Sequence, residues 1–309
     1  MKGTIIGTGS WASDAVITNE DLEKRVLGVN AKWTEETLGI KQRHISPYPT
    51  SISAVKAGEK ALENAGISPL DINLIIVATA TPDFMAPSTA ALVQHKIGAV
   101  NAAAFDLNAV CAGFLYALHV ANQFIIAQTY KNILIIGADT FSQITDWDDR
   151  SCIFFGDGAG AVVLSGTPNG GIIGTDIYSD GSGENGFKTE HGKTFVMNGQ
   201  FVYKSATTLL PQAITSLLQK TNVTKDKIKW VIPHQPSIQI LKKLASTLDI
   251  PFERVKTNMD KYANTSAATI PILLDEVNRA GQISRGDVIL FAAIGSGWVW
   301  GASIMEWTL

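Results

Sequence analysis

A cysteine, a histidine and an asparagine stand at matching points of two halves that repeat one another. Cys111 lies in Leu107-Asn-Ala-Val-Cys-Ala-Gly-Phe-Leu-Tyr116, His234 in Val231-Ile-Pro-His-Gln235 and Asn264 in Tyr262-Ala-Asn-Thr-Ser-Ala-Ala268. The residues before Cys111, Ala104-Phe-Asp-Leu107, read as a strand, and Phe114, Leu115, Leu118 and Ala121 to Phe124 form a helical stripe behind it. A thiol at such a turn faces the partial positive charge of a helix start, which favours thiolate over thiol and makes Cys111 a candidate nucleophile beside the plainer reading of an inert core cysteine. Ala112 and Gly113 are small enough to let a ligand approach the backbone. His234 follows a β-run and precedes Gln235-Pro236, which leaves its ring at a strand's carboxyl end, where open α/β sheets place ligands. Asn264 lies just ahead of Thr265-Ser-Ala-Ala268, a helix opening, and alone it reads as a cap or turn residue.

The repeat ties these positions together. An offset of 153 residues carries Thr81, after Leu74-Ile-Ile-Val-Ala78, onto His234, after Ile228-Lys-Trp-Val-Ile232, and carries Cys111 onto Asn264. Near the same offset, Ile133-Leu-Ile-Ile-Gly137 falls opposite Val288-Ile-Leu-Phe-Ala292. A strand end, a helix start and a second strand recur in one order and spacing, as a duplicated fold unit requires. The predicted division is 1–165, carrying the nucleophile, and 166–309, carrying the histidine and asparagine. The three polar residues then meet where the halves meet.

The elements that must position them follow from apolar patterning. Strand-like runs fall at 3–7, 73–79, 102–107, 132–137, 160–165, 229–233 and 287–293, and helical patterns near 19–27, 51–65, 87–97, 111–128, 204–220, 237–248 and 265–280. This alternation predicts an α/β fold of two similar halves with buried, mixed but largely parallel sheets between helix layers. Thr18-Asn-Glu-Asp21 offers a cap and acidic first-turn residues for the first helix. The stretch 166–200, rich in Gly, Ser, Asn and Asp, reads as a connector that doubles as a surface flap.

Composition removes several function classes. At 309 residues, 46% hydrophobic and 17% charged, the chain fits a large soluble α/β protein. Its apolar runs fall far short of the roughly 20 residues needed to span a bilayer, and the start, running straight into Thr4-Ile-Ile-Gly7, shows no signal-peptide pattern. A cytoplasmic protein is expected. A net charge of −3 argues against nucleic acid as the main partner. Cys152, beside a strand, reads as a buried small hydrophobe, and His44, His95, His119 and His191 lack the ligand spacing of a metal site. Gly7-Thr-Gly9 approximates a dinucleotide fingerprint, but no amphipathic helix opens after it. Gly156-Asp-Gly158-Ala-Gly160 runs into a strand, which predicts a tight backbone crossing and not a phosphate loop.

Taken together, Ala109 to Leu118, Ile232-Pro-His-Gln235, Ala263-Asn-Thr-Ser-Ala-Ala268, Phe155-Gly-Asp-Gly-Ala-Gly-Ala161 and Gly295-Ser-Gly-Trp-Val-Trp-Gly301 resemble β-ketoacyl-acyl carrier protein synthase III, of the thiolase-like fold. The resemblance runs nearly end to end. It implies that Cys111 takes an acyl group from acyl-CoA. It also implies that a malonyl thioester, carried by acyl carrier protein, then loses carbon dioxide, and that its enolate attacks the acyl group. His234 and Asn264 are implied as donors to the enolate oxygen, and the backbone N–H groups of Cys111 and Ser296 as the second oxyanion site. Trp33 and Arg150 are implied to flank the adenine of CoA. A homodimer without metal or organic cofactor is implied as well. Within it, the loop Thr81 to Ala90 reaches across to the partner's acyl pocket, where Ala86 replaces a common phenylalanine and the flexible Met85 stands beside it.

Departures from the pattern matter too. Gln239 stands where a basic residue that helps dock the carrier is expected, and Thr37 where one is common. Lys242 and Lys243, on the same predicted helix face as Gln239, are candidates to supply the missing charge. Gly295-Ser-Gly297 replaces three glycines. Two other readings stay open: a specialised-pathway relative that joins acyl groups or passes one to a small nucleophile, and a non-catalytic partner subunit. The altered docking positions favour the first, and the intact Cys111, His234 and Asn264 set opposes the second.

Overall fold

The computed structural model describes residues 1–309. Its strands are β1 (Lys2–Trp11), β2 (Val16–Thr18), β3 (Gln42–His44), β4 (Leu74–Ala78), β5 (Ala103–Leu107), β6 (Asn132–Thr140) and β7 (Asp157–Thr167). They continue with β8 (Gly171–Ser179), β9 (Phe187–Thr189), β10 (Phe195–Met197), β11 (Ile228–Pro233), β12 (Val288–Gly295) and β13 (Val299–Glu306). The helices are α1 (Asn19–Arg25), α2 (Ala31–Leu38), α3 (Thr50–Ala65), α4 (Thr89–Ile97), α5 (Gly113–Ile126), α6 (Gly199–Thr221), α7 (Ile238–Leu248), α8 (Met259–Tyr262) and α9 (Thr269–Arg279).

Two sheets carry the fold, in the orders β1-β7-β6-β4-β5 and β11-β12-β13-β8. β1 pairs antiparallel with β7, β7 antiparallel with β6, and β6 parallel with β4. β8, β13, β12 and β11 repeat that sequence of senses. β5 extends the first sheet in parallel beside β4. The second sheet keeps only a single parallel bridge, Val231 to Val255, at the corresponding place.

The sequence explains the layering. Leu74-Ile-Ile-Val-Ala78 is buried along its whole length because β4 has parallel partners on both edges and helices on both faces. Helix α5 is apolar nearly all round, as a helix between two sheets must be. It shares the central layer with α9, and Phe114, Leu118, Ile270 and Leu274 pack there against Ile76, Ile232 and Phe291. α3 and α4 cover the outer face of the first sheet, and α6 and α7 that of the second. Thr18 and Asp21 close a capping box on α1, as their spacing predicts. The glycines of the two weighed motifs serve packing. A Cβ on Gly9 would lie 2.4 Å from the backbone of Ala61 in α3, and one on Gly160 would lie 2.5 Å from Ile272 N in α9.

The stretch 166–200 is more than a connector. It contributes the whole edge strand β8 and the small β9–β10 hairpin, which joins neither main sheet. Strand β13 and helix α2 are also present where apolar patterning marks nothing.

Candidate active site

Cys111 sits between β5 and α5, in a 3-10 turn over Val110–Ala112 that leads into the helix at Gly113. Val110 adopts φ +44°, a conformation a β-branched residue rarely accepts, so the backbone is held in a strained kink immediately before the thiol. The thiolate expected at a helix start is not the resting form. Burial pushes the thiol from 9.0 up to about 12, and the nearby Ser266 hydroxyl pulls it only part of the way back. Desolvation outweighs the helix end, so the nucleophile waits as S–H.

His234 follows the last residue of β11, and its backbone N–H donates to Ala292 O of β12 at 2.8 Å. Its ring is buried, with Nδ1 2.8 Å from Thr269 Oγ1 at the start of α9. Burial drives the imidazole from 6.5 down to about 3, so it is neutral at physiological pH. The Thr269 hydroxyl also reaches Ser266 O at 3.0 Å. It can therefore donate to Nδ1, leaving Nε2–H for a ligand, or donate to Ser266 and accept from Nδ1–H.

Asn264 is fixed by its own backbone. Its N–H donates to Phe154 O at 3.1 Å, and its carbonyl accepts from Gly156 N at 3.1 Å. Its Oδ1 accepts from Ser266 N at 2.8 Å. That local bond occupies the amide oxygen and leaves the Nδ2 hydrogens as free donors. Ala263 and Ser266, on either side, have φ +57° and +53° and form a tight turn that holds the amide.

The three residues line one chamber of 980 Å³, together with Ser296, Trp33, Arg150 and Gln239. Gly295 makes the approach possible, because a Cβ there would lie 2.9 Å from Cys111 N. Trp33 is 44% exposed and Arg150 is exposed, as befits residues at a mouth. Lys242 and Lys243 lie outside the chamber on the exposed face of α7, whose buried face carries Leu241, Leu244, Ala245 and Leu248. Ala86 and Met85 do not line the chamber of their own chain. Met85 is 94% exposed, so a place for this loop at an acyl pocket needs a second copy of the chain. Cys152 is fully buried, with its thiol pushed up to about 11. No group of three or more His, Cys, Asp or Glu is arranged to hold a metal ion.

Sequence reasoning misses three residues that the structure places here. Thr269 orients His234. Phe187, from β9, lines the chamber. Asp139, fully buried, accepts from Ala80 N at 2.8 Å and from Ala267 N at 3.1 Å, tying the end of β4 to the turn that carries Asn264.

A half-buried cysteine at the start of a central helix, with a neutral histidine at a strand end and a free amide on a tight turn, set between two sheets of repeated topology, defines a condensing acyltransferase of the thiolase-like fold. The family description 3-oxoacyl-[acyl-carrier-protein] synthase III matches residues 105–181, and that of its C-terminal part matches residues 218–307. The β-ketoacyl-[acyl-carrier-protein] synthase III of Clostridium acetobutylicum is 40% identical over 98% of this chain and 98% of its own. The crystal structure of 3-oxoacyl-[acyl-carrier-protein] synthase III from Aquifex aeolicus superposes with a TM-score of 0.97 at 41% identity, covering 99% of this chain and 100% of that one. The priming β-ketosynthase of the R1128 polyketide pathway superposes at 0.94 with 27% identity, covering 99% and 96%. The chain belongs to the β-ketoacyl-acyl carrier protein synthase III family.

Proposed function

We propose that the enzyme starts acyl-chain synthesis by taking an acyl group from acyl-CoA onto Cys111 and condensing it with a malonyl group on acyl carrier protein. In the first half-reaction the Cys111 sulfur bonds to the acyl carbon, the bond to the CoA sulfur breaks, and the thiol proton ends on CoA. The N–H groups of Cys111 and Ser296 hold the oxyanion of the tetrahedral intermediate. In the second, malonyl thioester loses carbon dioxide, and His234 Nε2–H and Asn264 Nδ2–H hold the charge that moves onto the thioester oxygen. The enolate carbon bonds to the acyl carbon, and Cys111 leaves as thiolate and is reprotonated. Trp33 and Arg150 flank the adenine of CoA. Lys242 and Lys243 receive the acidic carrier in place of a charge at Gln239.

The observation that carries this reading is the shared chamber of Cys111, His234 and Asn264, with a neutral imidazole and an amide whose hydrogens are free. We place the enzyme in the cytoplasm, working without metal or organic cofactor. We further propose a homodimer of chains that each comprise two halves, 1–165 and 166–309. The half-exposed edge of β5 and the exposed Phe84 and Met85 on the loop after β4 support that assembly.

The test is to incubate the protein with a panel of acyl-CoAs and record the mass added. Label should appear on Cys111, vanish in Cys111→Ala and persist in Cys152→Ala. Label on Cys111→Ala would overturn the assignment. Gln239 and Thr37, both at the chamber, favour one second reading, a specialised relative that does not use the carrier. An acyl-enzyme discharged by malonyl-CoA or a small nucleophile, but not by malonyl carrier, would select it.

A further inference from the structure

The chamber has an aromatic wall that the mechanism above does not use. Phe187 faces the chamber, and its ring lies nearly parallel to that of Phe195, with centroids 5.3 Å apart at 14°. It meets Phe155 edge-on at 5.8 Å, and Phe155 stacks on Phe141 at 4.4 Å. Phe141, Phe155 and Phe195 are buried, whereas Phe187 is only half-buried. Phe155 and Phe187 both line the chamber, and Phe187 is the less buried of the two, with the buried Phe195 stacked behind it. Removing it would uncover the ring of Phe195, whose centroid lies 5.3 Å behind it in an apolar cluster.

The wall is held from outside its own strand. β9 and β10 form a hairpin of three residue pairs that joins neither main sheet, and so small a ribbon does not hold its place alone. The Ser296 hydroxyl donates to Phe187 O. Asn198 N donates to Gly186 O at 2.8 Å, closing the base of the hairpin. Trp298 packs so close to the preceding turn that a Cβ on Gly183 would lie 2.3 Å from its ring and one on Gly186 2.6 Å. The loop that offers the Ser296 N–H thus also fixes the position of Phe187.

We infer that Phe187, latched by the Ser296 hydroxyl, is a specificity-determining residue that limits how long an acyl chain the chamber accepts. This rests on the acyl-transfer reading of the site. Straight acyl chains meet the ring within the chamber, and longer ones must displace it. Displacing it strains the Ser296 bond and the loop that carries the oxyanion donor.

The experiment is single-turnover acylation of Cys111 by hexanoyl- and decanoyl-CoA, followed by intact mass. Each buried methylene is worth about fourfold, so room for two or more raises the decanoyl-to-hexanoyl rate ratio about tenfold or further in Phe187→Ala. Phe187→Leu should move it the same way by less, and it decides the matter if the alanine variant does not fold. Ser296→Gly, which keeps the backbone N–H and loses the latch, should raise the ratio a few fold. A folded Phe187 variant that is acylated by acetyl-CoA, yet holds the wild-type ratio within twofold, overturns the inference. So does a Ser296→Gly effect equal at all chain lengths, which would be an oxyanion effect alone. If wild-type Cys111 takes label from no acyl-CoA, the acyl-transfer reading itself falls, a result distinct from an unchanged ratio.

Discussion

The Cys111 thiol should be slow to alkylate near neutral pH. Burial lifts it from 9.0 to about 12, about three units, so at pH 7 the thiolate share is about a thousandfold below that of an ordinary thiol. A more basic thiolate is a better nucleophile. With a Brønsted slope of about 0.4–0.5, three units return roughly twentyfold, leaving a net deficit of about fiftyfold against a free thiol. The assay is iodoacetamide labelling from pH 6 to 10, with peptide mapping to separate Cys111 from the fully buried Cys152. The rate at Cys111 should climb about tenfold per pH unit through pH 10 without levelling. A plateau at or below pH 8, or a rate at pH 7 equal to that of a free thiol, would show that the start of α5 prevails over desolvation and that the resting nucleophile is a thiolate after all.

Other expectations follow from the same geometry. Asn264→Ala and His234→Ala should each slow malonyl decarboxylation about a hundredfold or more, the usual cost of one oxyanion donor, and slow self-acylation far less; equal damage to both steps, timed separately, refutes the division. The double change Lys242→Glu, Lys243→Glu should raise KM for malonyl carrier, most at low salt, without altering acyl-CoA labelling, and an unchanged KM places docking on another face. Ala86→Phe should shift the hexanoyl-to-acetyl ratio of acylation toward acetyl-CoA, because a ring there refills space across the proposed dimer; no shift refutes a partner role for that loop. The His234 pKa is depressed from 6.5 to about 3, so its contribution to stability is complete above pH 6.5 and fades as pH falls toward 3. Between pH 6.5 and 4.5 wild type should lose about 2–3 kcal/mol more than His234→Gln in urea unfolding, and parallel curves would contradict a neutral buried ring.

What could be read from the sequence depended on which interactions are local. β4, β6 and β12 announce themselves because strands covered on both faces need long apolar runs. β8 hides, because Gly171-Ile-Ile-Gly-Thr-Asp-Ile-Tyr-Ser179 carries the residues of a turn. Gly174 serves helix packing instead, since a Cβ there would lie 2.6 Å from Thr221 Cγ2 in α6. One residue type thus has two physical causes, and patterning cannot separate them. Cys111, His234 and Asn264 stand out because duplication preserves spacing. Thr269 and Phe187 matter through bonds that cross 35 and 109 residues, which no local pattern encodes. The thiolate expectation failed for a related reason: a helix start is visible in sequence, and the desolvation opposing it is a property of the assembled fold.

The unequal ends of the two sheets bear on how copies of this chain can associate. Had both halves kept a fifth strand, each molecule would carry two equivalent open edges and could polymerise, every added copy exposing a fresh edge. The second half retains only the bridge from Val231 to Val255 where the first has all of β5. The end of the second sheet at β11 is therefore not the counterpart of the β5 edge, and the two cannot serve as interchangeable pairing surfaces. If copies pair through β5, as the proposed homodimer would have them do, that edge is used up when two meet, and the second half offers no equivalent edge on which to add a third.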